Sequence, residues 1–554
     1  MKKNEWFNMK KSSFVEGTII ATLAIVITKI LGMLYVIPFY AMVGVQGSAL
    51  YAYAYNIYVI FLDISTAGLP IAMSKIIGEY NTLGKMDAKI RAYQIGKKVM
   101  LFLSVSVFLV LMLFAPQIAK MLLGDLSGGN TISEVSMAIR CVSFAILIVP
   151  FLSVTKGYLQ GHKIFNISSF SQVIEQVVRI SVILGGSYIV LKLGGTQTLA
   201  VCVSVFGAFL SGLVAYLYLK RKMKKDNSAE LSFKGDYVKD DISNKEIGKK
   251  IFSYAVPFII INIVGSCYNF VDMTLLLRTM NYLDLDAATI EFAASSVTTW
   301  APKINMIVAS IAMGMSTSLI PTMVSAYTLG DWKEVNNKFN QAIQIILFVS
   351  LPMTIGISLL SAPIWSIFYG YSKAGSIILS VNVFTGLLIN VYMTVSSSLQ
   401  GLNKFKAVYL TTICGFALNA LLDAPLIILY DKIGIPCYLG AVTASIIGYG
   451  TSILIALICL KKDCKMKYRE TIKVFMKTLL PLAAMSLVVF LLKNIVPVDY
   501  LSKLSCIIYV AIVSVVGAIV YFIIAFKMGL VEKVLGKRTT SAIIKKLTFG
   551  KIRI

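Results

Sequence analysis

Two lysines lie inside long apolar segments, where a charge needs a specific explanation. Lys29 lies within residues 14–43 and Lys303 within residues 289–321, directly after Pro302. A charge near the centre of a bilayer costs several kcal/mol unless it meets a partner, a watery cavity or a route to the surface. Lys29 is too deep to reach either surface easily, and a proline in a membrane helix is tolerated best beside a cavity. We therefore predict that both lysines bind phosphate in a central cavity; ion pairs with acids on neighbouring helices are the alternative.

Two aspartates and an arginine also lie in apolar segments. Asp63 lies within residues 49–73 and Asp272 within residues 251–277. These carboxylates can pair with the lysines in an empty cavity, bind a coupling cation, or form permanent salt bridges. Arg278, near the external end of its segment, is a candidate outer-gate contact, although a side chain that simply extends to water explains it more directly.

Glu175 and Arg179 form a third charged feature, within residues 164–191. Their i, i+4 spacing, with the acid first, is the favourable order for an ion pair on a helix. Because each can neutralise the other, a structural role is favoured over substrate contact, and both interpretations stay open.

The elements that carry these residues are membrane-spanning helices. The 554-residue chain is 57% hydrophobic and only 14% charged, and its mean hydropathy is +0.80. Apolar runs of about 18 residues or more, the length that crosses a bilayer, recur along the whole chain, without the alternating pattern of membrane β-barrels. The fold class is therefore predicted as an all-α polytopic membrane protein of about fourteen transmembrane helices. The predicted spans are 14–43, 49–73, 99–123, 136–156, 164–191, 197–219, 251–277, 289–321, 341–362, 376–396, 407–430, 438–460, 475–494 and 504–527.

The net charge of +26 indicates how the helices are oriented. Placing the N-terminus inside gives the cytoplasmic segments about 40 of the 52 Lys and Arg residues and the external loops about 6, as the positive-inside rule requires. This predicts a multi-pass protein of the cytoplasmic membrane with both termini cytoplasmic and a retained first helix. Because the spans break up the basic residues, we expect no nucleic-acid partner.

Two short motifs recur at nearly constant separation. Leu-Gln-Gly ends at Gly161 and again at Gly401, and Thr-Leu-Gly ends at Gly84 and again at Gly330. The recurrence predicts a six-plus-six duplication in which both repeats share one orientation, with substrate between the halves. The predicted parts are an N-terminal lobe (1–219), a cytoplasmic linker (220–250), a C-terminal lobe (251–460), two extra helices (475–527) and a basic cytoplasmic tail (528–554).

Several chemistries are not supported by the sequence. It has a single histidine, and its eight cysteines form no C-x-x-C, so neither a metal site nor a disulfide framework is expected. It also lacks the G-x-x-x-x-G-K-[ST] loop of an ATPase and any visible cluster of enzymatic acids or nucleophiles. A transporter without a cofactor is predicted, and coupling to the membrane potential or to a monovalent cation stays open.

With these residues in place, the chain resembles the lipid II flippases of the MurJ/YtgP type, in the multidrug, oligosaccharidyl-lipid and polysaccharide exporter superfamily. The resemblance covers nearly all of the chain. The stretches that carry it are Thr28–Met33 with Ile37–Phe39, Leu69–Lys75, Gly157–His162, Ser171–Ile180, Tyr268–Asp272 and Leu319–Pro321.

The resemblance implies two six-helix lobes, a cationic central cavity, and a groove formed by the last two helices for a polyprenyl tail. Lys29 and Lys303 match cavity arginines of better-known members by charge. Tyr35 replaces the second arginine of helix 1, and Asp63 lies close to the arginine position of helix 2.

The expected function is translocation of a polyprenyl-diphosphate-linked peptidoglycan precursor to the outer leaflet by alternating access. The expected partners are this lipid-linked sugar diphosphate, membrane lipid and the cell-wall synthesis machinery. The alternatives are a flippase for another lipid-linked polysaccharide or spore-cortex precursor, a cation-coupled multidrug antiporter, and a membrane scaffold for envelope synthesis that transports nothing.

Overall fold

The described part of the chain consists of helices joined by short turns and loops. The computed structural model describes residues 27–66, 68–126, 128–162, 164–225, 242–308, 323, 326–327 and 329–536, and these contain no strand. The helices of the first part are α1 (Ile27–Leu34), α2 (Val36–Thr66), α3 (Leu69–Thr82), α4 (Met86–Leu123), α5 (Ile132–Gly161), α6 (Phe165–Ser181), α7 (Ser187–Lys192), α8 (Gln197–Lys225), α9 (Asn244–Tyr282) and α10 (Ala287–Ser295). Those that follow are α11 (301–308), α12 (Trp332–Leu359), α13 (Ser361–Tyr369), α14 (Lys373–Gly401), α15 (Phe405–Lys432), α16 (Leu439–Cys464), α17 (Arg469–Ile495), α18 (Lys503–Lys527) and α19 (Leu530–Leu535).

Helix α2 reverses direction at Gly44. The backbone there has φ 64° and ψ −167°, a conformation that glycine adopts without steric cost. The hydroxyl oxygens of Tyr35 and Tyr51 lie 3.2 Å apart although 16 residues separate them. In a straight helix that separation would be about 24 Å, at 1.5 Å per residue. The segments before and after Gly44 are therefore two antiparallel arms, which correspond to the predicted spans 14–43 and 49–73.

The prediction of an all-α, multi-span membrane protein is confirmed. Ten helices of the described residues are long and apolar enough to cross a membrane, and the bent pair Ile27–Leu34 and Val36–Ile64 is an eleventh candidate. Helix α9 contains the predicted seventh span. The start of the first span and the end of the eighth lie outside the described residues, as do the middle of the linker (226–241) and most of the tail (537–554).

The helices form two compact units, Met1–Thr299 and Trp300–Ile554. In the first unit α5 packs against α2, α3, α4 and α8, while α9 packs along α2, α3 and α4. In the second unit α14 packs against α12, α13 and α16, and α17 pairs with α18. The predicted lobes 1–219 and 251–460 stay a prediction.

Two π-helical turns interrupt the helices next to candidate residues. One, Val182–Gly186, joins α6 to α7 and begins within a turn of Arg179; the other, Ser296–Trp300, joins α10 to α11 and ends within a turn of Lys303. Such turns re-aim the side chains around them and are frequent at functional sites.

Glycines allow close helix packing where side chains would collide. A Cβ added at Gly157 of α5 would lie 2.4 Å from the carbonyl oxygen of Pro70, and one added at Gly440 of α16 would lie 2.4 Å from the backbone nitrogen of Ile427. Small residues at such crossings allow the backbones of membrane helices to approach each other. The contact between α15 and α16 therefore depends on Gly440.

Two alanine substitutions in α16 test this packing. Gly440→Ala places a methyl group against backbone atoms that cannot move away, and overpacking of this kind costs about 1–3 kcal/mol. Gly450→Ala is the control, because a Cβ there meets no described atom within 4 Å, and removing a helix-interior glycine stabilises by roughly 0.5–1 kcal/mol. We expect the midpoint of thermal unfolding of the purified protein to fall for Gly440→Ala and to hold or rise for Gly450→Ala. Equal shifts for both variants would contradict the packing argument.

Candidate functional site

A polar stripe runs along helix α6. Gln172, Glu175, Gln176 and Arg179 occupy i, i+3, i+4 and i+7 positions, which place them on one helix face, and all four are partly exposed. Charged and amide side chains are not stable against acyl chains. We therefore infer that this face lines a polar cleft in the first unit.

The two charged residues of the stripe, Glu175 and Arg179, form a three-residue cluster with Lys156 of α5. Glu175 lies 2.7 Å from Arg179 of the same helix and 2.9 Å from Lys156 of α5. The Nε of Arg179 also lies 3.5 Å from the hydroxyl of Ser211 in α8. Because one carboxylate serves two cations, the cluster keeps a net positive charge. The predicted Glu175–Arg179 pair is present in the structure, within a larger group.

Tyrosines of α2 lie near the Arg179 end of the cluster. Tyr51, Tyr55 and Tyr58 lie within electrostatic range of its guanidinium. The rings of Tyr51 and Tyr55 stack at 5.9 Å with an interplanar angle of 9°, and the hydroxyl of Tyr35 reaches that of Tyr51. Tyr35, which replaces an arginine in the resemblance, thus supplies a hydroxyl group next to the cleft.

Lys29 lies on the helix that borders this stripe. Helix α1 meets α6 where a Cβ on Gly32 would lie 3.2 Å from the amide nitrogen of Gln176. Lys29 precedes Gly32 by three residues and so lies on the same side of α1. It is half-buried, and no carboxylate of the described residues in its unit lies within 4.0 Å. It therefore adds a second centre of positive charge beside the cleft.

The two candidate aspartates have different environments. Asp63 is half-buried and accepts a hydrogen bond from the hydroxyl of Ser266 in α9, and no cationic side chain of the described residues in its unit lies within 4.0 Å. Asp272 is buried within α9. The hydrogen bond shows that Asp63 helps to join α2 to α9.

Arg278 lies at the end of α9, and its side chain is exposed. Its guanidinium donates a hydrogen bond to the carbonyl of Met121, in the last turn of α4. A cation near the carbonyl end of a helix is favoured by the helix dipole. The contact gives Arg278 a structural role at this end of the unit.

Lys303 lies in the second unit, in α11. Its ammonium lies 5.1 Å from the centre of the Trp300 ring, within cation–π range. Trp300 is itself fixed, because its carbonyl accepts a hydrogen bond from Tyr369 at 2.8 Å. The amide of Asn305 donates to the carbonyl and the side-chain oxygen of Asn382 at 3.0 and 2.8 Å. Trp300 and Asn305, which lie on either side of the half-buried Lys303 in the sequence, are thus held to α13 and α14.

Sequence reasoning missed two charged residues. Lys156 ends the predicted fourth span and Glu291 begins the predicted eighth, and charges at span ends ordinarily face water. In the structure Lys156 joins the cluster, and Glu291 is buried and accepts hydrogen bonds from the backbone and side-chain nitrogens of Asn130 at 2.7–2.9 Å. The signal in the sequence was that each charged residue lies near the end of an apolar run. This position does not indicate which other helix the side chain contacts.

Comparisons with known proteins match the chain to two family models and to related membrane proteins. The family described as polysaccharide biosynthesis protein matches residues 14–327, and the MatE family matches residues 257–424. The lipid II flippase MurJ of Bacillus subtilis (strain 168) is 33% identical over 540 residues, covering 95% of this chain and 97% of that protein. Stage V sporulation protein B of the same organism is 22% identical over 413 residues, 74% of this chain and 76% of that one. The solved structure of a lipid II flippase MurJ in an inward closed conformation superposes with a TM-score of 0.64 at 16% identity, covering 91% of this chain and 99% of that one.

Neighbouring cysteines in α6 test whether the stripe faces water. Gln176→Cys places a thiol on the polar face, whereas Val177→Cys places one on the opposite face, where the Val177 side chain is 48% exposed. In a variant whose eight native cysteines are replaced, we expect a hydrophilic thiol reagent to label position 176 in membranes and to leave position 177 unlabelled, because thiols in lipid stay protonated. Labelling of 177 but not of 176 would show that the stripe is not solvated.

Proposed function

The chain belongs to the polysaccharide biosynthesis protein family, and from this premise we propose that it is a lipid II flippase, which moves the lipid-linked peptidoglycan precursor across the cell membrane. It is a transporter and not an enzyme. A lipid-linked substrate and the surrounding membrane lipid are its partners. The relationship to a lipid II flippase over nearly the whole chain carries this assignment.

The proposed substrate contacts are cationic. The diphosphate of the precursor needs donors that are charged and reachable, because charge-assisted hydrogen bonds to phosphate are the strong ones. Lys29 supports the proposal most directly, since it lies half-buried beside the polar stripe and has no carboxylate of the described residues in its unit to neutralise it. Lys303, half-buried in α11, is the proposed second contact.

We propose that transport proceeds by alternating access. The sugar and diphosphate groups require a polar path, whereas the polyprenyl tail is stable in lipid throughout. The cleft in the first unit offers the headgroup hydroxyl, amide and cationic groups. Asp63 and Asp272 are proposed to balance charge when the headgroup is absent, or to bind a monovalent coupling cation.

The membrane potential is a proposed energy source. Each elementary charge moved across the membrane is worth about 2.3 kcal/mol per 100 mV, so a potential that is negative inside favours outward movement of a net-negative headgroup. Initial flipping rates in vesicles with and without a potassium diffusion potential measure this contribution, and equal rates would exclude it.

The orientation and the protein partners are also proposals. The distribution of Lys and Arg supports cytoplasmic termini. A C-terminal reporter enzyme that is active only in the cytoplasm should therefore be active, and an inactive reporter would reverse the orientation. Cell-wall synthesis enzymes that make or use the same lipid are the proposed neighbours, and crosslinking followed by co-purification tests for them.

Substitution of the two lysines tests the proposed contacts. Loss of one charge-assisted contact costs about 1.5–3 kcal/mol, which lowers transport by roughly tenfold or more. We expect Lys29→Ala and Lys303→Ala each to fail to support growth of a strain depleted of its own lipid II flippase, at wild-type protein levels. Lys29→Arg should retain growth because it keeps the charge.

The exposed Lys432 is the matched control, and Lys432→Ala should complement fully. Full complementation by both Lys29→Ala and Lys303→Ala would remove these residues from the substrate site without affecting the family assignment.

A further inference from the structure

The shared carboxylate of the α5–α6 cluster has a role beyond a simple ion pair. Glu175 contacts Arg179 and Lys156 at the same time, at 2.7 and 2.9 Å, and the two cations come from different helices. The side chains of Lys156, Glu175 and Arg179 are 18%, 15% and 26% exposed. The group is therefore shielded enough for its electrostatics to be strong and open enough for a ligand to reach it.

Arg179 is the cation of this cluster best suited to bind phosphate. A guanidinium has five N–H donors in a planar fork that matches phosphate oxygens. One nitrogen donates to Glu175, and the Nε lies 3.5 Å from Ser211, at the limit of hydrogen-bond distance. A phosphate that approaches Arg179 is repelled by the negative charge of Glu175 and competes with it for the donor that the carboxylate occupies.

Lys156 alters that competition. If Glu175 had no second partner, its separation from Arg179 would leave a carboxylate without a cationic partner in a poorly solvated site, which costs free energy. With Lys156 only 2.9 Å away, the carboxylate keeps a cationic partner when Arg179 turns to a new one. In this exchange Arg179 replaces its contact with Glu175 by a contact with phosphate, while Glu175 stays paired with Lys156.

We propose that Lys156 is a positioning residue for transport, which holds Glu175 so that Arg179 can exchange this carboxylate for a phosphate of the lipid-linked headgroup. The proposal rests on the proposed flippase function and adds Arg179 as a further phosphate contact on the unit that carries Lys29. It also assigns Glu175 the task of releasing the headgroup, because the carboxylate returns to Arg179 when the phosphate leaves.

The exchange predicts opposite effects for two substitutions that are nearly isosteric. Lys156→Met leaves Arg179 as the only cationic partner of Glu175, so the carboxylate binds it more firmly and phosphate affinity falls. Glu175→Gln removes the competing charge, so affinity rises and release slows. The double variant restores the original net charge and should bind nearly as the wild type does. Lys156→Arg keeps the charge and should rescue wild-type binding.

The test measures binding of a short-chain lipid II analogue to the purified full-length protein. We expect the dissociation constant to rise about tenfold for Lys156→Met and to fall about tenfold for Glu175→Gln, with the double variant within about threefold of the wild type. An analogue without the diphosphate should respond to none of these changes. Lys338→Met and Glu334→Gln, which break an i, i+4 pair in α12, are the controls and should leave binding unchanged.

The outcomes distinguish a failure of the proposed Lys156 role from a failure of the proposed flippase function. A merely structural cluster predicts that Lys156→Met and Glu175→Gln weaken binding alike, in step with their losses of thermal stability, and that result overturns the inference alone. Faster flipping by Glu175→Gln in vesicles would overturn it too, since release should slow. A wild-type protein that does not bind the analogue contradicts the flippase proposal, and the inference with it.

Discussion

The structure of the first unit depends on one constraint, the high free energy of polar side chains in hydrocarbon. Helix α6 carries Glu175 and Arg179 with two glutamines on one face, and this face cannot lie against lipid. Neighbouring helices place polar groups near this face: Lys156 from α5, Ser211 from α8 and tyrosines from α2. The polar cleft is the consequence.

Backbone features make this arrangement sterically possible. The reversal at Gly44 brings the two hairpin arms together, so that Tyr35 and Tyr51 meet. Gly32 brings α1 close to Gln176, and Gly157 lets α5 approach the chain at Pro70. The helices that carry cations can therefore approach α6 closely, and Lys29 and the Lys156–Glu175–Arg179 cluster lie on helices that border the same cleft.

Much of the fold could be predicted because each membrane-spanning helix corresponds to one continuous apolar run in the sequence. The Glu175–Arg179 pair could be predicted for a similar reason, since i, i+4 contacts are local. Lys156 could not, because its partner lies on another helix and hydropathy does not specify which helices are neighbours. The burial of Glu291 depends in the same way on Asn130, which lies 161 residues away. The contact of Arg278 with the carbonyl of Met121, 157 residues away in α4, could not be predicted for the same reason.

The most direct test of the account is lipid II translocation by the purified protein in sealed vesicles that contain no other protein. The account predicts that lipid II placed in one leaflet becomes accessible in the other at a rate that rises with the amount of protein, and that a lipid with the same tail but no diphosphate-linked sugar is not moved. Equal rates for vesicles with and without the protein, under a membrane potential of either sign, would contradict it.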